Sequence, residues 1–151
     1  MSNFQFVCPS HQIWVEDHPK EAFQKVNELT DYAESLFHRG QYQNVIPFLG
    51  TALETTEIIF DSRLESPQLT TKMTAIAIML ASSYSALGET DKACVFLRKI
   101  RQKLNRAIAC AEGYGAKVAF FKHCETALLE ANSNLVENHS YFSSMSASQL
   151  H

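Results

Sequence analysis

Apolar residues recur every three or four positions through most of this chain, which is the spacing of one face of an α-helix. Glycines at positions 40, 88, 113 and 115 and the Ser66-Pro67 pair interrupt these apolar runs. Glycine commonly ends a helix, and a serine followed by a proline commonly starts one. The pattern therefore predicts five helices, at about 17–39, 42–60, 67–87 and 90–112, with the fifth following Gly115.

The two ends of the chain have a different character. Residues 1–16 contain two strand-like runs, at 4–6 and 13–15, with Pro9-Ser10 as a turn between them. Either a short hairpin or an extended arm fits this segment. The last residues are rich in serine, and we expect them to be frayed. The sequence thus predicts an N-terminal arm over 1–16, a helical domain over 17–137 and a flexible tail over 138–151.

The central part of the chain repeats itself after 48 residues. With this shift Gly40 falls on Gly88 and Ala33 falls on Ala81, while apolar residues coincide at most of the positions around them. A small residue lets two helices approach closely, and a glycine can take the left-handed conformation that turns one helix into the next. The repeat therefore predicts two helical hairpins of similar build.

The repeated residues follow a fixed order of large, small, aromatic and glycine positions, namely Leu29, Tyr32, Ala33, Leu36, Gly40, Tyr42, Val45, Leu49 and Ala52 in one copy and Ala77, Leu80, Ala81, Tyr84, Gly88, Ala93, Leu97 and Ile100 in the other. This order resembles the tetratricopeptide repeat family. The resemblance implies an all-α, tetratricopeptide-like stack of two long antiparallel helical hairpins plus a C-terminal capping helix. However, the period exceeds the usual length of about 34 residues, and the closing proline of each repeat is missing. The alternative is a generic antiparallel bundle whose glycine turns coincide.

The same resemblance implies where a partner binds, since the first helix of each pair in that family lines a concave surface. Carried over to this chain, the partner-binding residues are Asn27, Thr30, Glu34, Phe37 and His38 in the first copy and Ala75, Ile78, Ser82 and Ser85 in the second. Thr30, Glu34, Ile78 and Ser82 do not supply the Lys and Asn residues with which the family binds acidic C-termini. We expect an apolar or mildly basic segment there, unless the fifth helix or the N-terminal arm fills the groove.

Charge is unevenly distributed, although the net charge of the 151-residue chain is only −3. Residues 16–65 carry ten acidic and four basic side chains, whereas residues 92–122 carry eight basic side chains and one acidic one. This asymmetry either steers a charged partner or pairs the two halves with each other. No aromatic residues are interleaved among the bases of the stretch 96–108, so its composition does not favour nucleic acid as the partner.

Few residues suggest catalysis or metal binding. The sequence has no glycine-rich phosphate loop, no zinc-protease motif and no serine-hydrolase motif. Cys8 and His11 have a metal-like spacing but no second pair, and His123 and Cys124 diverge by about 100° on a helix. We therefore predict no enzyme activity, no cofactor and no metal site.

The sequence also carries expectations about location. The first residues lack the basic and apolar regions of a signal peptide. The longest uncharged apolar stretch, residues 73–88, is shorter than the roughly 20 residues of a membrane span. The four cysteines lack paired spacing, so we expect them to be reduced. We expect a cytoplasmic protein without membrane contact.

Together these patterns favour a protein–protein interaction module, either an adaptor or a small chaperone, that binds a peptide or helix of a partner. Short chains of the family that resemble this one serve as secretion chaperones in bacteria, which is an analogy of fold. Two alternatives stay open. One is a homo-oligomeric structural protein, such as a homodimer, joined through the arm with Phe4, Phe6, Ile13 and Trp14. The other is a nucleic-acid-linked regulator that uses the basic fourth helix.

Overall fold

The computed structural model describes residues 6–62 and 65–149, with side chains as far as residue 137. Its regular elements are α1 (Pro9–Asp17), α2 (Pro19–His38), α3 (Tyr42–Asp61), α4 (Pro67–Ala86), α5 (Thr90–Cys110) and α6 (Gly115–Gln149). These residues contain no strand, so the predicted all-α fold class is confirmed. The five predicted helices correspond to α2–α6, and α1 is additional.

Two glycines end helices where the repeat predicts. Gly40 and Gly88 follow α2 and α4 with φ angles of 73° and 81°, in the left-handed region that glycine tolerates. The backbone N–H of the next residue then turns back to the preceding helix, as where Gln41 donates to the carbonyl of Leu36 at 3.0 Å. These bonds satisfy carbonyls that the end of a helix otherwise leaves without a partner.

The helices pack mainly on their neighbours in sequence. Helix α3 contacts α2 and α4, and α5 contacts α4 and α6. In addition, α2 contacts α4, and α4 contacts α6. The even-numbered helices α2, α4 and α6 therefore form one row with α3 and α5 behind it. In the described part of the chain, α3 and α5 do not approach each other backbone to backbone.

Among the side chains that the structure describes, those of α4 include the largest number of buried ones, as its apolar sequence predicts. Met73 and Leu80 are fully buried in the main core. Ala81 is fully buried too, as expected where helices approach closely. The buried hydroxyl of Thr74 donates to the carbonyl of Thr70 at 2.8 Å, so the helix itself satisfies this polar group. The core therefore runs through α4 and reaches every helix from α2 to α6.

The N-terminal segment is helical from Pro9 onward, so neither the hairpin nor the extended arm that the sequence left open describes residues 9–16. Residues 13–15 lie in α1, which begins at Pro9 and packs on α2 and α3. Val15 is fully buried in a second apolar cluster together with Ala22, Ile59 and Leu69. A short apolar run suits a buried strand or a buried helix equally, and tertiary packing decides between them. Phe4 lies outside the described residues.

The residues before α1 are held against α3. The backbone N–H groups of Phe6 and Val7 donate to the two carboxylate oxygens of Glu54, each at 2.7 Å. The Phe6 ring lies on Gly50, where an added Cβ would come within 2.6 Å of the ring. We call residues 6–17 the N-terminal strap. Its contacts are made within its own chain.

Helix α6 is longer than the predicted fifth helix. Its backbone continues through the serine-rich segment, which we expected to be frayed, and ends at Gln149. Val136 lies near Gly88 and Cys94, beside the turn between α4 and α5. None of the described helices combines the length and the apolar character that crossing a bilayer requires.

Phe6 and Gly50 should be coupled in stability. Replacing glycine with alanine inside a helix normally stabilises a protein by about 1 kcal/mol. At position 50 the new methyl group would displace the Phe6 ring, whose packing contributes about 1–2 kcal/mol. We therefore expect Gly50→Ala to leave the free energy of unfolding unchanged or lower in the native sequence, but to raise it by about 1 kcal/mol in a Phe6→Ala background. Urea unfolding of the four proteins measures this cycle.

Gly115→Ala is the matched control, because no atom beyond its chain neighbours and the adjoining backbone of its own helix lies within 4 Å of the methyl group added there. Its effect should be the same with and without the Phe6 ring. If Gly50→Ala also had equal effects in both backgrounds, the contact between Phe6 and α3 would not exist in solution.

Candidate functional site: the cleft between α2 and α4

The nine predicted partner-binding residues lie on two neighbouring helices. Asn27, Thr30, Glu34, Phe37 and His38 belong to α2, and Ala75, Ile78, Ser82 and Ser85 belong to α4. Helices α2 and α4 contact each other, so the two sets lie on adjacent elements. Glu34, His38 and Ala75 are exposed, while Asn27, Phe37, Ile78, Ser82 and Ser85 are half-buried.

Thr30 is the member of this set that belongs to the core. Only 3% of its surface is exposed, and its hydroxyl donates to the carbonyl of Val26 one turn earlier. A partner cannot contact Thr30 without displacing neighbouring side chains. The other α2 residues are the ones available to a partner.

An open cavity of about 500 Å³ lies between the first halves of α2 and α4. It is lined by Phe23, Asn27, Pro67, Gln68 and Thr71, which we call the α2/α4 cleft. Asn27 was the one lining residue that the repeat pattern predicts. The sequence did carry a signal for two others, because Gln68 and Thr71 continue the three- and four-residue spacing of Ala75, Ile78, Ser82 and Ser85 back to the start of α4.

Two predicted residues have a structural role as well. Phe37 and Ile78 pack against the main core with part of their surface. The Phe37 ring also meets the Tyr42 ring edge-on across the turn, with 5.4 Å between centroids. The tyrosine that follows the glycine in this turn therefore anchors the end of α2. Substitutions at Phe37 or Ile78 would affect stability as well as any bound partner.

The surface of α4 next to the cleft is uncovered. The N-terminal strap contacts α2 and α3, and α6 packs beside α4 and on α5. Ala75 is nonetheless exposed, so among the described residues neither the strap nor α6 covers this part of α4. The cleft and the exposed positions beyond it are available to another molecule.

The basic helix α5 pairs with the acidic end of α3. Lys99 lies 3.3 Å from a carboxylate oxygen of Glu57, and Lys103 lies 3.7 Å from the other. Lys103 also contacts Asp61 at 2.7 Å. We call Glu57, Asp61, Lys99 and Lys103 the charged cluster. Acidic residues of the first half of the chain thus pair with basic residues of the second half inside the molecule. Two basic residues of the stretch 96–108, Lys99 and Lys103, already form ion pairs.

Glu57 is the buried member of the charged cluster, with 5% of its surface exposed. Its Oε1 atom accepts no hydrogen bond from the described residues. Burial raises the pKa of the Glu57 carboxyl, and the neighbouring Lys99 and Lys103 offset this rise only in part. The ionised carboxylate therefore stabilises the fold less than the number of its neighbours suggests.

The two Cys/His pairs considered as metal or catalytic candidates, Cys8 with His11 and Cys124 with His123, do not form a site. Cys8 precedes α1 at the N-cap position without a side-chain capping hydrogen bond; it is exposed, and a hydrogen bond with Ser10 lowers the pKa of its thiol. His11 stacks on Trp14 instead, with 5.4 Å between ring centroids. Burial raises the pKa of the Cys124 thiol, whereas the adjacent His123 is exposed. The described ranges contain no cluster of three or more His, Cys, Asp or Glu side chains that could hold a metal ion.

No protein-family model matches this chain, and comparisons with curated proteins and with solved structures give no match either. A function therefore has to be inferred from the geometry of α2 and α4 and of the helices that hold them.

Glu57 should make stability depend on pH. Because its folded-state pKa is raised, its contribution to stability is fully present below the unfolded pKa and is lost as the pH rises through the folded pKa. The variant Glu57→Gln resembles the protonated form and should stay within about 1 kcal/mol of the native protein at pH 5. Its stability should then increase relative to the native protein between pH 5 and pH 8.

Chemical unfolding at both pH values measures this difference. Glu112→Gln is the control, since Glu112 is exposed at the turn between α5 and α6 and its replacement should have little effect at either pH. The opposite result, a native protein that gains stability relative to Glu57→Gln from pH 5 to pH 8, would contradict the prediction. It would mean that Lys99 and Lys103 lower the pKa of Glu57 by more than burial raises it.

Proposed function

We propose that this protein is a protein–protein interaction module, an adaptor or a small chaperone, built as a tetratricopeptide-like stack. In this proposal α2–α3 and α4–α5 are the two hairpins, and α6 is the capping helix. The packing of consecutive helices and the row formed by α2, α4 and α6 support such a stack. The left-handed Gly40 and Gly88 at corresponding positions support it as well.

The observation that carries the proposal is the open α2/α4 cleft. The cleft combines an aromatic side chain, Phe23, with the polar Asn27, Gln68 and Thr71. An apolar side chain of a partner would pack on Phe23. The backbone of that partner would form hydrogen bonds with the polar side chains in the cleft. Further along α4, the exposed Ala75 has a small side chain, which would let a helix or an extended peptide lie close to the surface.

The two rival functions have less support. Phe6 and Val7 of the N-terminal strap are bound to Glu54 and Gly50 of their own chain, so these residues are not free to join two copies. A nucleic-acid site on α5 would not have Lys103 at its disposal, because Asp61 already holds it. Of the residues that these rivals would use, Ile13 on α1 and Arg98 and Arg106 on α5 stay exposed.

A photo-reactive residue in the cleft tests the proposal. Benzoylphenylalanine at position 68, where the glutamine is exposed, should cross-link a specific partner in an extract of the source cells. Adding Thr71→Arg and Ala75→Arg should reduce that cross-link at least tenfold, because two bulky cations would occupy the surface and an apolar or mildly basic segment would be repelled.

The matched control adds the same charge elsewhere. Gln102→Arg and Ala109→Arg replace two exposed residues of α5, and they should leave the cross-link unchanged. Circular dichroism would establish that all variants are folded. A cross-link equally strong in both double variants would place the partner somewhere other than the cleft.

A further inference from the structure

The charged cluster joins two helices that do not touch through their backbones. Glu57 and Asp61 are one turn apart on α3, and Lys99 and Lys103 are one turn apart on α5. Each pair therefore lies along one face of its helix. The lysines span the gap between α3 and α5 with three contacts of 2.7 to 3.7 Å.

This bridge connects the two hairpins at the back of the row that carries the cleft. The front contact is between α2 and α4, and α4 packs on α3 in the middle. At the back, α3 and α5 are joined by the ion pairs of the charged cluster. With the contact between α3 and α4 as the pivot, a change in the distance between α3 and α5 changes the distance between α2 and α4 on the opposite side. Packed helices move in this way by small shear displacements.

Stability alone does not explain why a carboxylate is buried at this bridge. Glu57 is 5% exposed, and its Oε1 atom accepts no hydrogen bond from the residues that the structure describes. An apolar side chain of similar size often stabilises such a position as well or better. What an apolar side chain would not provide is a pair of directed contacts that fix the distance to two lysines on the other hairpin.

We propose that the charged cluster fixes the angle between the hairpins α2–α3 and α4–α5 and thereby sets the width of the α2/α4 cleft. Lys103 is the main positioning residue, because it contacts both Glu57 and Asp61. The consequence for a bound partner rests on the proposed function. The geometric claim concerns the protein by itself.

A distance measurement across the front of the molecule tests this claim without any partner. Spin labels are attached to His38→Cys and Ala86→Cys, two exposed residues at the ends of α2 and α4. Cys8, Cys94 and Cys110 are replaced with serine, and the buried Cys124 is kept. Pulsed electron paramagnetic resonance then gives the mean distance between the labels.

Lys103→Met should shift this mean distance by about 1–2 Å, the size of a helix displacement in shear motions. Lys103→Arg keeps the charge and should keep the native distance. Lys25→Met is the matched control, because it removes an ion pair with Glu28 inside α2 that does not join the hairpins. Asp61→Asn changes an exposed carboxylate and so should fold even if Lys103→Met does not; it should shift the distance in the same direction.

An unchanged distance in every folded variant of Lys103 and Asp61 would overturn the inference, whatever the cleft binds. A shifted distance, together with a cross-link from position 68 that Thr71→Arg and Ala75→Arg leave unchanged, would instead retain the positioning role and count against the proposed function.

Discussion

The burial of α4 is the constraint on which the rest of the structure depends. Its sequence is apolar around most of its circumference, so no single neighbouring helix can cover it. Helices α3 and α5 pack on two sides of it, and α2 and α6 pack beside it. The strip that stays uncovered carries small or polar residues such as Gln68, Thr71 and Ala75. The helix that holds the core together thus also forms one wall of the α2/α4 cleft.

Most of the helical framework could be predicted from the sequence, because the signals for it are local. The glycines at 40 and 88 act through their own backbone conformation. Ser66 caps α4 by accepting a hydrogen bond from the backbone of Leu69 at 3.1 Å, three residues along the chain. The three- and four-residue spacing of apolar residues likewise depends only on the geometry of one helix. Such features need no knowledge of which helices pack together.

The features that the sequence did not reveal depend on contacts between distant residues. Residues 13–15 are compatible with a strand until Val15 is seen to join Ala22 and Leu69. The contact of Phe6 with Gly50 joins an N-terminal residue to the middle of α3. From the charge asymmetry alone, the acidic and basic halves could either attract a charged partner or pair with each other. Three-dimensional structure was needed to find that Lys99 and Lys103 reach Glu57.

The candidate site could be predicted from the sequence only in part. The repeat pattern selects the helices α2 and α4, but it treats each position as equivalent to its counterpart in the family. The structure separates the buried Thr30 from the exposed Glu34 and adds Phe23, Gln68 and Thr71 to the surface. These distinctions follow from how deeply each helix sits in the bundle, which the pattern of a single helix does not contain.

Amide hydrogen exchange of the protein with and without a partner captured at the cleft tests the central claim most directly. The account predicts that new protection upon binding is concentrated in the exposed turns of α2 and α4, from about residue 23 to 38 and from 67 to 86. Protection confined to α5 or to the N-terminal strap, with α2 and α4 exchanging as in the free protein, would contradict it.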